Sequence, residues 1–199
     1  MTCNAQKPLA ENGHFTVSPI STASEIERAA GIAATVRKDA LLGGEIPSPF
    51  DELKSHYLHC FDSAVRQKEG LLLGLFSKTT GELVGAAAIL LLAGQGEHES
   101  HYIEKLRRHY GSGALTGMWI GMVLGISVQK EHNGKGGAGL LVNALESFGI
   151  SNFDYILYGT QNKIIRHILL CHGYKYLGSY SGAEHPSIDW HVYCADNTA

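Results

Sequence analysis

The stretch from Leu124 to Leu140 constrains this chain more than any other. An apolar run carrying the β-branched residues Ile126 and Val128 leads into four glycines within six residues, Gly134, Gly136, Gly137 and Gly139. Leu140, Leu141, Val142, Leu145 and Phe148 then recur at helical spacing. The pattern predicts a strand, a glycine loop and the start of a helix. Glycine lets a backbone turn tightly and approach a ligand closely. The first N–H groups of a helix have no internal acceptor, and the helix dipole adds partial positive charge there. Such a loop suits a phosphate-bearing ligand.

A chain of 199 residues accommodates one domain and a sizeable core. With 44% hydrophobic and 18% charged residues it has the composition of a soluble globule. A formal net charge of −3 offers no basic surface for nucleic acid. Cys3, Cys60, Cys171 and Cys194 are scattered without paired spacing and read as the reduced thiols of a cytoplasmic protein. Residues 1–13 are polar, lack a signal pattern and are expected to form a flexible tail, with 14–199 as a single domain. The longest apolar run, Leu83–Ala93, is far shorter than the roughly 20 residues of a membrane span.

Along the chain, His14–Ile20 reads as a strand. Ser21 or Thr22 can cap a helix carrying Ile26, Ala29, Ala30, Ala33 and Val36 on one face. After the break at Gly43-Gly44 and Pro47/Pro49, Ser48 precedes a second helix through Leu53, Tyr57, Leu58, Phe61 and Val65. Leu71–Phe76 and Leu83–Leu92 predict a hairpin. The polar segment 95–112 contains a helical pattern around Tyr102–His109, either a cover over substrate or a solvated helix. Leu115–Val128 reads as one long strand with glycine irregularities, followed by the glycine loop and a helix to about Phe148. Tyr155–Tyr158, a helix over Asn162–His172, and strands Tyr174–Tyr180 and Ile188–Cys194 complete the order β-α-α-β-β-(α)-β-α-β-α-β-β. This is an α/β sandwich with a mixed central sheet flanked by helices.

Three glycine-loop chemistries compete. A nucleotide-triphosphate loop needs Ser or Thr after its lysine, but Lys135 is followed by Gly136. Gly134-x-Gly136-x-x-Gly139 matches a dinucleotide fingerprint, which would make the chain an oxidoreductase. The acid that should bind ribose, Asp154, precedes its strand instead of ending it, and too few strands follow for a doubly wound sheet.

The third chemistry rests on a resemblance. Val128 to Ala138, with Glu131, Asn133, Gly134, Lys135, Gly136 and Gly137, resembles the Val-x-Pro-Glu-Tyr-Arg-Gly-Lys-Gly-Ile-Gly/Ala motif of the GNAT superfamily of acyl-CoA-dependent N-acyltransferases. The helix from Asn162 to Gly173-Tyr174 resembles that family's Asn-x-x-Ala…Tyr-x-x-x-Gly-Phe element. The two elements stand in the family's order and cover, with the hairpins, residues 71–194. The resemblance implies a GNAT-like sandwich and an enzyme that moves an acyl group, foremost acetyl from acetyl-CoA, to a primary amine by direct attack in a ternary complex. It implies that Ile126, Ser127 and Val128 offer backbone groups to the pantetheine arm. Asn133, Gly134, Lys135, Gly136, Gly137, Ala138 and Gly139 would hold the pyrophosphate, and Asn162 would face the pantetheine or the reacting end. The acceptor expected by default is a small-molecule amine, with a peptide or protein amine as the other possibility; no metal is required.

The sequence also departs from the family. Asn133 stands where arginine is usual, and Lys130 replaces proline. The family's frequent acid, a tyrosine seven residues after the helix asparagine, aligns with Leu169, and Leu115–Val128 contains no carboxylate to act as base. Asp189, His191 and Tyr180 are candidate substitutes for moving protons. These departures leave open a module that holds CoA or acyl-CoA without turnover. Trp119 is a candidate for lining the acceptor pocket. His56-x-x-His59-Cys60 and His98-x-x-His101 have helical spacing but no evident third metal ligand. Cys171 beside His172 could suggest a nucleophile, though a small core thiol is the better account of it.

Overall fold

Helix starts are where the local chemistry is plainest. Thr22 and Glu25 form a capping box: the Thr22 N–H donates to Glu25 Oε2 (3.3 Å), the Glu25 N–H donates to Thr22 Oγ1 (3.4 Å), and the hydroxyl closes on the carboxylate at 2.6 Å. Of the two expected capping residues, Thr22 takes the role. The computed structural model describes residues 8–41, 49–67, 70–93, 103, 107–108, 117–181 and 189–196. In chain order these give β1 (Ala10–Glu11), β2 (Phe15–Pro19), α1 (Ala23–Leu41), α2 (Phe50–Arg66), β3 (Leu71–Ser77) and β4 (Leu83–Ala93). Then follow β5 (Ile120–Val128), a 3-10 turn (Lys130–His132), α3 (Gly137–Asn152), β6 (Tyr155–Thr160), α4 (Lys163–Cys171), β7 (Lys175–Ser181) and β8 (Asp189–Asp196).

The eight strands hydrogen-bond in the order β1-β2-β3-β4-β5-β6-β8-β7. The β5–β6 pair is parallel; β1–β2, β2–β3, β6–β8 and β7–β8 are antiparallel. The sheet is therefore mixed, as expected. The chain divides into two compact units, one made of the segments up to Ala88 and Gly125–Leu145, the other of Ile89–Leu124 and the segment from Glu146 onward.

In the first unit the α1 face predicted from helical spacing is buried at Ile26, Ala29, Ala30 and Ala33. Helix α2 buries Phe61 and Ala64. In the second unit Ile103, Ile120, Tyr155, Leu157 and Cys194 form one apolar cluster. Beside β6, the rings of Tyr158 and Tyr174 meet edge to face at 5.1 Å, and His172 Nδ1 lies 2.7 Å from Glu146 Oε2.

Two boundaries differ from the sequence reading. Ala10–Glu11, placed there in a tail, pair with β2, and the Leu9 N–H reaches the Val17 carbonyl at 2.8 Å. This ladder uses backbone groups alone, so the polar side chains give no sign of it. The long strand begins at Ile120, not Leu115. Gly117 turns with φ +80°, and the Trp119 N–H donates to the Asp154 carboxylate at 2.7 Å while its carbonyl accepts from the Asp154 and Tyr155 N–H groups. The helical pattern at 102–109 lies mostly outside the described residues; Ile103, Arg107 and Arg108 are helical.

Asn162 caps α4 by accepting from the Ile164 N–H (2.8 Å) and the Ile165 N–H (3.3 Å). Asn162→Ala is expected to cost about 1 kcal/mol of stability. Urea unfolding should show this as a lower midpoint at unchanged slope.

Candidate functional site

The site is assembled from the end of β5, the 3-10 turn, the glycine loop and the first turn of α3, all within the first unit. The ladder between β5 and β6 pairs Ile120 to Val123 with Tyr155 to Tyr158, while β5 itself runs on to Val128. At Gly125 the backbone takes φ +65°, a conformation strained for any residue with a Cβ. The Ser127 hydroxyl donates to the Gly125 carbonyl at 2.9 Å and so fixes the irregularity from inside the strand. Ser127 and Val128 are buried and Ile126 half-buried. The Gln129 N–H then donates to the Val84 carbonyl at 2.9 Å, holding the strand exit against β4.

Beyond the 3-10 turn the chain opens to solvent. Asn133, Gly134, Lys135 and Gly136 are exposed, with positive φ at Gly134 (+75°) and Gly136 (+80°). The first α3 bond runs from the Leu140 N–H to the Gly136 carbonyl at 3.1 Å. The N–H groups of Gly137, Ala138 and Gly139 thus form the turn that lacks intrahelical acceptors. Gly137 is buried for a different reason: a Cβ there would lie 2.7 Å from Leu75 Cδ2, so a larger residue would need the Leu75 side chain or the helix start to shift.

The loop is held from a place the sequence did not suggest. Asn12 Nδ2 donates to the Lys135 carbonyl at 3.1 Å, while its Oδ1 accepts from the His14 N–H (2.8 Å) and the Phe15 N–H (2.9 Å). The His132 ring meets Phe15 edge-on at 6.0 Å. The turn between β1 and β2 thereby supports the loop at two points. A sequence signal existed only in retrospect, as an Asn two residues before a strand, where an Asx turn is favoured.

Helix α2 faces the strand irregularity. A Cβ on Gly125 would lie 2.8 Å from Phe61 Cζ and 3.3 Å from Tyr57 Cε1. Burial raises the Tyr57 phenol above its ordinary range, opposed by the positive Arg37, and burial lowers Arg37 itself. Burial, with His59 and Arg37 nearby, lowers the His56 imidazole; Cys60, 3.7 Å from His56 Nε2, is raised by burial.

Other predicted residues lie elsewhere. In the second unit His191 pairs with Thr160 of β6 and Ser179 of β7, Asp189 with Ser181, and Tyr180 with Trp190. Leu169 is fully buried and its carbonyl accepts from the Tyr174 N–H. The Asn162 carbonyl oxygen is engaged in its cap. Trp119 precedes β5, at the strand end opposite the loop. Cys171 is exposed near the end of α4, not the core thiol expected, and contacts His167 Nε2 at 3.7 Å, whereas its neighbour His172 turns to Glu146. Cys60, Cys171 and Cys194 are free thiols. Among the described residues no three metal-binding side chains are grouped; His98 and His101 lie outside them.

No protein-family model matches the sequence, and no curated protein sequence does. Solved structures do. FeeM, an N-acyl amino acid synthase from uncultured soil microbes, aligns over 92% of this chain and 91% of its own, with TM-score 0.63 and 17% identity. An acetyltransferase of the GNAT family from Streptococcus pneumoniae aligns over 92% and 99%, with TM-score 0.57 and 14% identity. This is the GNAT fold. RimL, a ribosomal α-N-protein acetyltransferase whose structure contains coenzyme A, shares that fold over 97% of this chain and 100% of its own, with TM-score 0.60 and 12% identity. The expected GNAT-like sandwich is therefore observed.

Two measurements follow from the GNAT-fold loop and the helix beside it. Asn12→Asp keeps the acceptor of the β1–β2 turn but removes the donor to Lys135. Loss of one such bond should speed amide exchange across residues 134–137 roughly fivefold, with the β1–β2 amides unchanged. His56 stays neutral in the folded protein after the unfolded chain has begun to protonate, below the ordinary value of 6.5. The folded state then binds fewer protons, so stability falls as pH falls. His56→Gln should flatten the fall in urea midpoint between about pH 7.5 and pH 5.5, the range spanning an imidazole titration.

Proposed function

We propose that this chain is an acyl-CoA-dependent N-acyltransferase acting in the cytoplasm, with acetyl-CoA as donor and a small-molecule primary amine as acceptor. The observation that carries the reading is the continuous segment from Gly125 to Gly139. A strand that outruns its parallel partner leads directly into an exposed glycine loop and a helix N-terminus, on a GNAT fold. The unpaired N–H groups of Gly137, Ala138 and Gly139 suit a pyrophosphate, and Lys135 supplies positive charge beside them. The backbone of Ile126 and Val128 suits the amide-bearing pantetheine arm, which can extend a ladder as a peptide does. Asn133 and Asn162 contribute through position, the first within the loop and the second at the start of α4. Among the described residues no helix is long and apolar enough to cross a membrane.

In the reaction the free amine attacks the thioester carbonyl, the carbon–sulfur bond breaks, and CoA leaves as a thiolate that takes up a proton. In this reading a backbone N–H of β5 near Val128 stabilises the oxygen charge that develops. Asp189, His191 and Tyr180 are the proposed proton-handling residues. The buried Leu169, where a donor is usual, favours a second reading in which the domain binds acyl-CoA without turnover.

Both readings predict CoA binding; only the first predicts free-thiol release from acetyl-CoA with a panel of amines. Gly136→Asp is expected to weaken CoA binding at least tenfold, because it adds charge repulsion and a strained left-handed residue at the loop. Unchanged affinity in that variant, measured by calorimetry, would remove the loop from the site.

A further inference from the structure

The rings of α2 that press on Gly125 have a consequence for the donor. Phe61 is fully buried, Tyr57 is half-buried beside it with ring centroids 5.8 Å apart, and both reach the strand backbone where it bends. A side chain on Gly125 would collide with Phe61, so the ring occupies the volume that a β5 side chain would otherwise fill. The reading above places the phosphates at the loop after β5 and the arm along β5 toward its start. The acyl end then arrives at Gly125. We propose that Phe61, with Tyr57, closes the acyl end of the site and restricts the donor to short-chain acyl-CoA. This inference rests on the proposed CoA site and adds its specificity.

The argument is steric. Apolar interiors are packed near crystal density, so an acyl chain extends past Gly125 only if a ring moves or is absent. A two-carbon group needs no such space, whereas an eight-carbon chain does. CoA without an acyl group reports any general loosening of β5 when a ring is removed, so the acetyl-to-octanoyl ratio carries the steric effect separately.

Calorimetric binding of CoA, acetyl-CoA and octanoyl-CoA, without acceptor, tests this independently of turnover. The wild-type protein should bind acetyl-CoA at least about tenfold more tightly than octanoyl-CoA, the scale on which pocket size discriminates apolar groups. In Phe61→Ala the preference for acetyl-CoA should vanish or invert, whatever common factor affects CoA and both acyl-CoAs alike. Phe61→Leu and Tyr57→Ala are milder changes that should move the ratio in the same direction, and circular dichroism establishes that each variant is folded. An unchanged ratio in the folded variants, or a wild-type protein that accepts octanoyl-CoA as readily as acetyl-CoA, overturns the proposal while leaving the CoA site standing. Failure of the wild-type protein to bind any of the three overturns the CoA site and the proposal together.

Discussion

The approach of α3 to β3 at Gly137 is the constraint on which the candidate site depends. A methyl group there would sit 2.7 Å from Leu75, well inside contact distance. Relieving that clash would require the buried Leu75 side chain or the helix start to shift, and the N–H groups that close the loop sit on that helix start. The left-handed turns at Gly134 and Gly136 bring the chain from the 3-10 turn into that position. Asn12 and Phe15 then hold the result from the side. The loop is therefore shaped by packing beneath it as much as by the freedom of its glycines.

Much of this was legible because it is local. The strand-loop-helix signature, the Thr22–Glu25 box and the apolar face of α1 are all written within a few turns of chain, and each appears where the pattern places it. The helix beginning after Asn162 was equally clear. What stayed hidden was non-local. Nothing around Asn12 announces a partner 123 positions away, and nothing around Gly125 names Phe61. The Ala10–Glu11 strand lacks alternating apolar residues because its ladder is carried by backbone alone. The start of β5 was misplaced because Leu115–Met118 has strand-forming composition, whereas the turn at Gly117 and the Asp154 carboxylate decide where pairing begins.

Motif positions also carry structural duties that a sequence cannot separate from chemistry. Asn162 stands where the resemblance places a cofactor-facing residue, yet its side-chain oxygen is committed to two backbone N–H groups. Ser127 lies in the strand meant to line the arm, but its hydroxyl is spent on Gly125. What such residues have left to offer a ligand is their backbone, or the remaining half of an amide. A site of this kind relies on main-chain groups, which suits a long, amide-bearing arm better than a small, highly charged one.

The Asn12 amide has a further consequence, in the order of events during folding. One side chain satisfies a turn near the start of the chain and a loop that is made far later. The turn can form as soon as His14 and Phe15 exist, but the loop contact waits until the intervening strands and helices have brought Lys135 back. Closing so long a segment is entropically unfavourable before the rest is in place. The shape of the glycine loop should accordingly be among the last features the chain acquires as it folds, and among the first to go when the first unit loosens.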